Sequence, residues 1–343
     1  MVEHVLLPVH FFVFHKIARM ATGRICLISC MRNEGAHLIE WIAYNKVIGF
    51  APIVVLTNDC TDGSDTLLKH LAAVEEVIHV DHKPAPGGLP QFAGLAISRQ
   101  LEAVKSSEWA MVQDADEYLT LPTANSVSEF VDEIGQGSDA IAFLWRFFGT
   151  SGHKSWEGEN ILPTRTRTHL SPRKTLIGHK TLFRPERFEC FRPHMPKSTF
   201  RDRTVVSTAG DLLPTRAFRK SEQARYQCGI ERCTFEGGWI AHHALKAPTV
   251  TRAKQFRGFG GKPVAGRHDL GGPIYRKFDV DEVENTDILK RWGETEYEIN
   301  RLLSDDKTRR LHNFCQDWLK DEIKRVAKLG STAPRAGFSS TAE

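Results

Sequence analysis

Between Arg24 and Val112 short apolar runs alternate with stretches of helical length, and this alternation constrains the fold more than any other feature. Arg24-Ile-Cys-Leu-Ile-Ser-Cys30, Pro52-Ile-Val-Val-Leu-Thr57, Val77-Ile-His-Val80 and the run from Trp109 to Val112 read as strands. They are apolar almost throughout, as strands covered on both faces must be. Between the first two, Leu38, Trp41, Ile42 and Ile48 recur at helical spacing, with Asn33 as the expected N-cap and Gly49 as the stop. Ser64 is the expected cap of the next helix, which carries Leu67, Leu68 and Leu71, and residues 92–105 give a third. Strand and helix in strict alternation imply a parallel sheet flanked by helices, with ligands outside the carboxyl ends of the strands.

Three polar turns fall at those ends: Arg32–Glu34, Asn58–Asp62 and Asp114–Glu117. The last packs three carboxylates into four residues directly after an apolar run. Ionised carboxylates stay out of a core unless they are paired or bind a metal, so Asp114 and Asp116 belong at the strand exit. Alternation would put both on one side, where their repulsion favours a cation. Oxygen ligands of this kind suit Mg²⁺ or Mn²⁺, often shared with a substrate phosphate.

Beyond the fourth strand, residues 126–134 read as a helix and 140–145 as a strand. The chain is then loop-rich from Phe147 to Gly238, with a short strand near Thr204–Thr208. Trp239-Ile-Ala-His242-His243 reads as a strand ending in two histidines, and Pro248 to Arg257 as a helix ended by Gly258–Gly261. Two further helices, Asp287–Leu303 and Asp305–Lys328, precede a Ser- and Ala-rich tail.

The net charge is only +4, and no basic block is long enough for a nucleic-acid arm. The stretch from Arg165 to Arg225 is nevertheless rich in Arg and Lys, compatible with peripheral attachment at the inner face of a membrane. Seven scattered cysteines argue for a reducing, cytoplasmic compartment. Val5 to Ile17 is apolar but too short to span a bilayer, and Met20 is the expected true start.

The blocks Arg32-Asn-Glu34, Glu40-Trp-Ile-Ala-Tyr44, Asn58-Asp-Cys-Thr-Asp-Gly-Ser64 and Gln113-Asp-Ala-Asp-Glu-Tyr-Leu119 together resemble a bacterial group of glycosyltransferase family 2. Trp145-Arg-Phe-Phe-Gly149-Thr-Ser-Gly-His153, Lys180-Thr-Leu-Phe-Arg-Pro185 and Ala241-His-His-Ala-Leu-Lys246 look like its downstream blocks. The resemblance covers about Arg24 to Gly261. It implies a GT-A fold: a Rossmann-like, mostly parallel sheet flanked by helices, with a loop-rich acceptor half and C-terminal helices. It also implies transfer of a sugar from a nucleotide-sugar donor to a glycan or lipid-linked acceptor, with inversion and with Mn²⁺ or Mg²⁺.

By position, Arg32, Asn33, Glu34, Asn58 and Asp59 would line the base and ribose pocket. Asp62 would hold its turn or reach the nucleotide, and Lys180 would meet the diphosphate. Asp116 would ligate the metal, Asp114 would touch ribose or the metal's water, and His242 would be a further ligand. Asp211, Glu231 and Glu236 are candidates for the base that deprotonates the acceptor. The Trp145-Phe147-Phe148 cluster reads as core. Thr57, His243 and Ala247 depart from the group's usual acidic residue, Tyr and Ser.

The implied segments are an N-terminal extension (1–23), a nucleotide-sugar-binding half (24–146), an acceptor half (147–262), a C-terminal helical region (263–329) and a disordered tail (330–343). A sugar nucleotidyltransferase would carry a Gly-rich loop after the first strand, and none precedes Gly35. A non-catalytic relative is opposed by the intact Asp114 and Asp116.

Overall fold

The computed structural model describes residues 23–200, 202–221, 230–257 and 270–329. The expectations for the N-terminal extension up to residue 22, for Gly258–Gly261 and for the tail from Gly330 lie outside them.

The first four strands are β1 (Ile25–Met31), β2 (Ile53–Thr57), β3 (Ile78–Asp81) and β4 (Trp109–Val112). They pair in parallel in the order β3-β2-β1-β4. Alternate residues feed opposite cores. Leu27, Val55 and Met111 join one cluster, while Cys26, Ile28, Val54 and Val112 join the other. This double coverage is why the runs are apolar without alternation.

Helix α1 (Gly35–Val47) is buried nearly all round, not along one stripe. The C-terminal helices α8 (Trp292–Ser304) and α9 (Asp306–Lys328) cover its outer side. The expected helix over 92–105 is instead two pieces, α3 (Pro90–Ser98) and α4 (Glu102–Lys105), because Leu101 is extended between them. Helices α2 (Ser64–Ala73) and α5 (Val127–Ile134) match their patterns. Ser126 caps α5 by accepting from the Glu129 amide at 3.1 Å.

The sheet does not stop at β4. Strands β5 (Glu117–Thr120), β6 (Ala140–Phe147), β8 (His179–Phe183), β9 (Val205–Ser207) and β10 (Trp239–His242) continue it. The order runs on as β4-β8-β6-β10-β5, with β9 beside β6. Strand β8 inserts antiparallel between β4 and β6, so the sheet is mixed here. Strand β6 is parallel to β10 and β9, whereas β10 and β5 are antiparallel.

A small ribbon pairs β7 (Arg167–Thr168) with β11 (Val283–Glu284), which the sequence did not suggest. Helix α6 (Pro248–Arg257) packs on α9, and α7 (Pro273–Phe278) precedes β11. The expected helix over 287–303 opens with a 3-10 turn at Asp287–Arg291 before α8 begins. No helix among the described residues is long and apolar enough to cross a membrane.

Candidate functional site

The turns after β1 and β2 lock onto each other. Asn33 and Asp59 both adopt positive φ, 54° and 47°, a conformation that Asn and Asp tolerate better than most residues. The Asn33 amide donates to Thr61 Oγ1 and accepts from the Thr61 amide, both at 2.8 Å. Arg32 Nε donates to the Asp59 carbonyl at 3.1 Å, and Asn58 Nδ2 to Asp59 Oδ2 at 2.9 Å.

Asp62 sits beneath them, buried. One oxygen accepts the first amide of α1, Gly35, at 2.8 Å. The other accepts the amide and hydroxyl of Ser64, at 2.9 and 2.5 Å, where α2 begins. One carboxylate thus serves two helix N-termini, whose free amides and dipoles both favour negative charge. The expected caps are corrected accordingly: neither Asn33 nor Ser64 caps its helix, since Asn33 is turned toward Thr61 and Ser64 is itself the first helical residue. Thr57, where an acidic residue was expected, meets His79 Nε2 at 2.8 Å.

The third turn is built differently. Asp114 leaves β4 and Asp116 precedes β5, whose position is fixed from below by α1. Trp41 Nε1 donates to the Glu117 carbonyl at 3.1 Å and the Tyr44 hydroxyl to that of Leu119 at 2.7 Å. The carboxylates of the turn point to separate cations. Lys180, with no exposed surface, reaches from β8 to Asp114 at 3.0 Å and to Glu117 at 2.9 Å. Gln91 holds the other Asp114 oxygen at 2.9 Å. Burial would strip Lys180 of its proton, but Asp114 and Glu117 more than offset this and raise its pKa.

Asp116 faces the opposite group. His242 Nε2 stands 3.6 Å from one oxygen and Lys254 Nζ 3.3 Å from the other. Lys254 also lies 3.6 Å from Glu34, and the buried Lys246 lies 3.3 Å from it. Burial resists ionisation of Asp116, yet Lys254, His242 and Lys246 overcome it and hold the carboxyl well below the usual range. His242 is brought there by the β10–β5 pairing, which sets it opposite Glu117. Its neighbour His243 donates its backbone amide to the Asp116 carbonyl at 2.8 Å and stacks on Phe148.

Asn33, Glu34, Asp62 and Lys254 also line one small pocket, roofed by Trp318 and Glu322 of α9. Sequence reasoning thus placed Arg32, Asn33, Glu34, Asn58, Asp59, Asp62, Asp114, Asp116, Lys180 and His242 at one end of the sheet. It missed Gln91, Lys254 and Trp318, which carry no local signal, and gave Lys246 only as the end of a resemblance block, with no role.

The base candidates are not brought to this end. Asp211 is exposed beyond β9, which pairs with the Ala140 end of β6, whereas His242 pairs with Phe147 at its far end. Glu231 and Glu236 are exposed and precede β10, while His242 closes it.

The donor chemistry suits a divalent cation at Asp116 and His242: a carboxylate oxygen and an imidazole nitrogen, with a lysine ammonium already drawn to the same oxygens. Asp114 is committed to Lys180 and Gln91, and among the described residues no three His, Cys, Asp or Glu side chains converge as a ready metal cluster.

The profile of glycosyltransferase family 92 matches residues 25–219. A glycosyltransferase family 92 protein of Ricinus communis is 26% identical over 165 residues, which is 47% of this chain and 29% of that protein. One from Oryza sativa subsp. japonica is 25% identical over 179 residues, 50% of this chain and 29% of its own length. The chain therefore spans under a third of these curated relatives.

Among solved structures, S. aureus TarS 1-349 covers 89% of this chain and 90% of its own at 12% identity, with a TM-score of 0.33. Glucosyl-3-phosphoglycerate synthase from Mycobacterium tuberculosis, in complex with Mn²⁺, UDP-glucose and phosphoglyceric acid, covers 38% of this chain and 46% of its own at 18% identity, with a TM-score of 0.26.

Proposed function

This chain belongs to glycosyltransferase family 92, and on that premise we propose that it transfers a sugar from a nucleotide-sugar donor to a glycan or lipid-linked acceptor. The resemblance to family 2 is corrected by the family 92 match. Three of the motif blocks that suggested it, Arg32–Glu34, Asn58–Ser64 and the Asp114–Glu117 turn, lie at strand ends, a solution open to any sheet that binds a ligand there.

The observation that carries the proposal is the charge arrangement around Asp116. A nucleoside diphosphate leaves with developing negative charge, and preorganised cations lower the cost of that charge. Lys254 and Lys246 stand beside Asp116 and Glu34, and the half-buried His242 completes the group. Asp116 and His242 would hold Mn²⁺ or Mg²⁺, and when bound the ion supplies Lewis-acid neutralisation of the diphosphate. The interlocked turns of Arg32–Glu34 and Asn58–Asp59 offer backbone and side-chain polar groups for base and ribose. Lys180 and Gln91 hold the Asp114 carboxylate in place for the same ligand. In this reading residues 24–146 form the nucleotide-sugar half, residues 147–262 the acceptor half, and the reaction inverts the anomeric centre. The site faces the cytoplasm.

The test is release of nucleoside diphosphate from a panel of UDP-, GDP- and dTDP-sugars by the full chain with Mn²⁺. Release from one donor class, abolished in Asp116→Asn, supports the proposal. Absence of release from every donor, in a folded chain that also binds none of the nucleotides, overturns it.

A further inference from the structure

Arg165 opens the basic stretch whose composition suits attachment to a membrane, yet it has no exposed surface. A buried guanidinium needs partners around its fork, and this one has three. Nη2 donates to Glu159 Oε1 at 2.6 Å, Nη1 to Thr164 Oγ1 at 2.7 Å and Nε to the Lys246 carbonyl at 2.7 Å. The last of these lies 81 positions along the chain.

The turn that carries Arg165 is itself anchored. The amides of Ile161 and Leu162 donate to the two oxygens of Glu40 on α1, both at 2.9 Å. The Arg165 amide donates to the Ile161 carbonyl at 2.9 Å. Trp156 donates its indole N–H to the Glu159 carbonyl at 2.8 Å and meets the His37 ring of α1 edge-on at 5.0 Å. Arg165 thus reaches Lys246 from a base fixed to α1, the helix that Glu34 directly precedes.

Lys246 is fully buried and has a φ of 56°, a left-handed conformation that a residue with a Cβ adopts at a steric cost. Such a conformation persists where its surroundings over-determine it. Here it turns the chain from β10 into α6. The Ala247 amide donates to the Leu245 carbonyl at 2.6 Å, and the Thr251 hydroxyl lies 3.0 Å from that carbonyl and 3.1 Å from the Ala247 carbonyl. From this backbone the Lys246 ammonium meets Glu34, and α6 brings Lys254 to Glu34 and Asp116.

We propose that Arg165 is a positioning residue for the donor site: by bonding the Lys246 carbonyl it fixes the left-handed turn that sets the Lys246 and Lys254 ammoniums beside Glu34 and Asp116. Each of its three nitrogens donates within the protein, so it acts through Lys246 and touches no ligand.

This rests on the proposed diphosphate site, and two readouts on the full chain keep the two apart. Arg165→Met removes the bonds, and Glu159, left without its partner, can hydrate because 28% of its side-chain surface is exposed. The first readout needs no ligand: acetic anhydride labels accessible lysines, and peptide mass spectrometry reads each one. Lys246 and Lys180 are both fully buried, but Lys180 is held by Asp114 and Glu117. Both are expected to be protected in the parent chain, and Lys246 alone of the two to lose protection in Arg165→Met. The second readout is affinity for inorganic pyrophosphate with Mn²⁺, expected to fall about tenfold in the variant, as for the loss of one charged contact. Glu159→Gln keeps the bond to Lys246 and should leave both readouts unchanged. Where Arg165→Met does not fold, Arg165→Lys, which cannot span Lys246 and Glu159 together, replaces it with the same expectations.

Lys246 still protected in the folded variant, or an unchanged affinity for pyrophosphate, overturns the proposal. Loss of protection at both lysines does so too, since it marks general loosening. An equal effect in Glu159→Gln overturns it as well, because the ion pair alone then accounts for the result. A parent chain that binds neither pyrophosphate nor any nucleotide contradicts the donor reading, and the labelling then decides alone whether Arg165 places Lys246.

Discussion

The turns after β1 and β2 and the turn after β4 stand at the same end of one sheet, yet they are held by opposite means. Apart from Glu34, which shares Lys254 with the third turn and also meets Lys246, the first pair is closed upon itself: Asn33 on Thr61, Arg32 on Asp59, Asp62 on two helix amides. The residues that satisfy one another are 27 to 28 positions apart or closer. The third turn draws its counter-charges from afar, Lys180 being 66 positions from Asp114 and Lys254 138 from Asp116. A turn that satisfies itself keeps its shape with or without a ligand. A turn whose carboxylates depend on incoming cations is a place where charge can be exchanged with a ligand.

The sharpest way to break this contrast is Lys180→Met. It leaves Asp114 and the fully buried Glu117 without their cation, and losing one side of a buried pair costs about 3–5 kcal/mol. Urea unfolding of the variant should show a loss of that order; a loss within experimental error would mean that the turn is not organised by charge. Asp116→Asn comes next. An electrostatic contact at a developing charge is worth about 100- to 1,000-fold in kcat, so turnover should fall by that much. The unfolding midpoint should also fall, but less than in Lys180→Met, because Asp116 keeps 17% of its side-chain surface exposed and Lys254 retains Glu34.

Asp62→Ala probes the other region and should give the reverse pattern. Uncapping two helices costs about 2 kcal/mol of stability, while the affinity for nucleotide changes little. Loss of nucleotide binding with unchanged stability would make Asp62 a ligand contact.

The smallest effect concerns His243. Its fully buried ring has no hydrogen-bond partner among the described residues. Burial, helped by His242 and Lys246, pushes its pKa from the usual 6.5 down to about 3. Below pH 6.5 the unfolded chain therefore binds a proton that the folded chain refuses, and stability falls as pH falls toward 3. Replacing it in His243→Phe should flatten the pH dependence between pH 6.5 and 5, by about 1 kcal/mol per pH unit. Parallel pH profiles of the two proteins would refute the neutral, buried ring.

The same contrast explains what could be read from the sequence. Strands β1 to β4 and α1 announce themselves through local apolar pattern, and the Asp114–Asp116 turn through its carboxylates. Strand β8 did not, because only Leu182 and Phe183 of its five residues are apolar; its buried Lys180 is tolerated because two distant carboxylates meet it. Lys254 is unremarkable in sequence and Lys246 only closes a resemblance block; both acquire their role once β10 and α6 bring them to Glu34. Of the cluster read as core from its apolar run, Phe147 and Phe148 are buried and Trp145 is half-buried, packed against the core. Whether an indole at a strand end is covered depends on segments such as the loop of His194 and the helix of Phe278, far along the chain. Asn33 resembled a cap because cap residues and left-handed turn residues are the same types.

The central claim is that the Asp116 group binds a nucleoside diphosphate with a divalent cation. Thermal unfolding of the purified chain with UDP, GDP, CMP and dTDP, each with and without Mn²⁺, addresses it most directly, with Asp116→Asn alongside. A nucleotide at about 100 times its Kd stabilises a folded protein by about 2.7 kcal/mol, which a melting curve resolves. The account predicts a Mn²⁺-dependent shift with one diphosphate that disappears in Asp116→Asn. A cooperative melt that no nucleotide moves, with or without Mn²⁺, would contradict it.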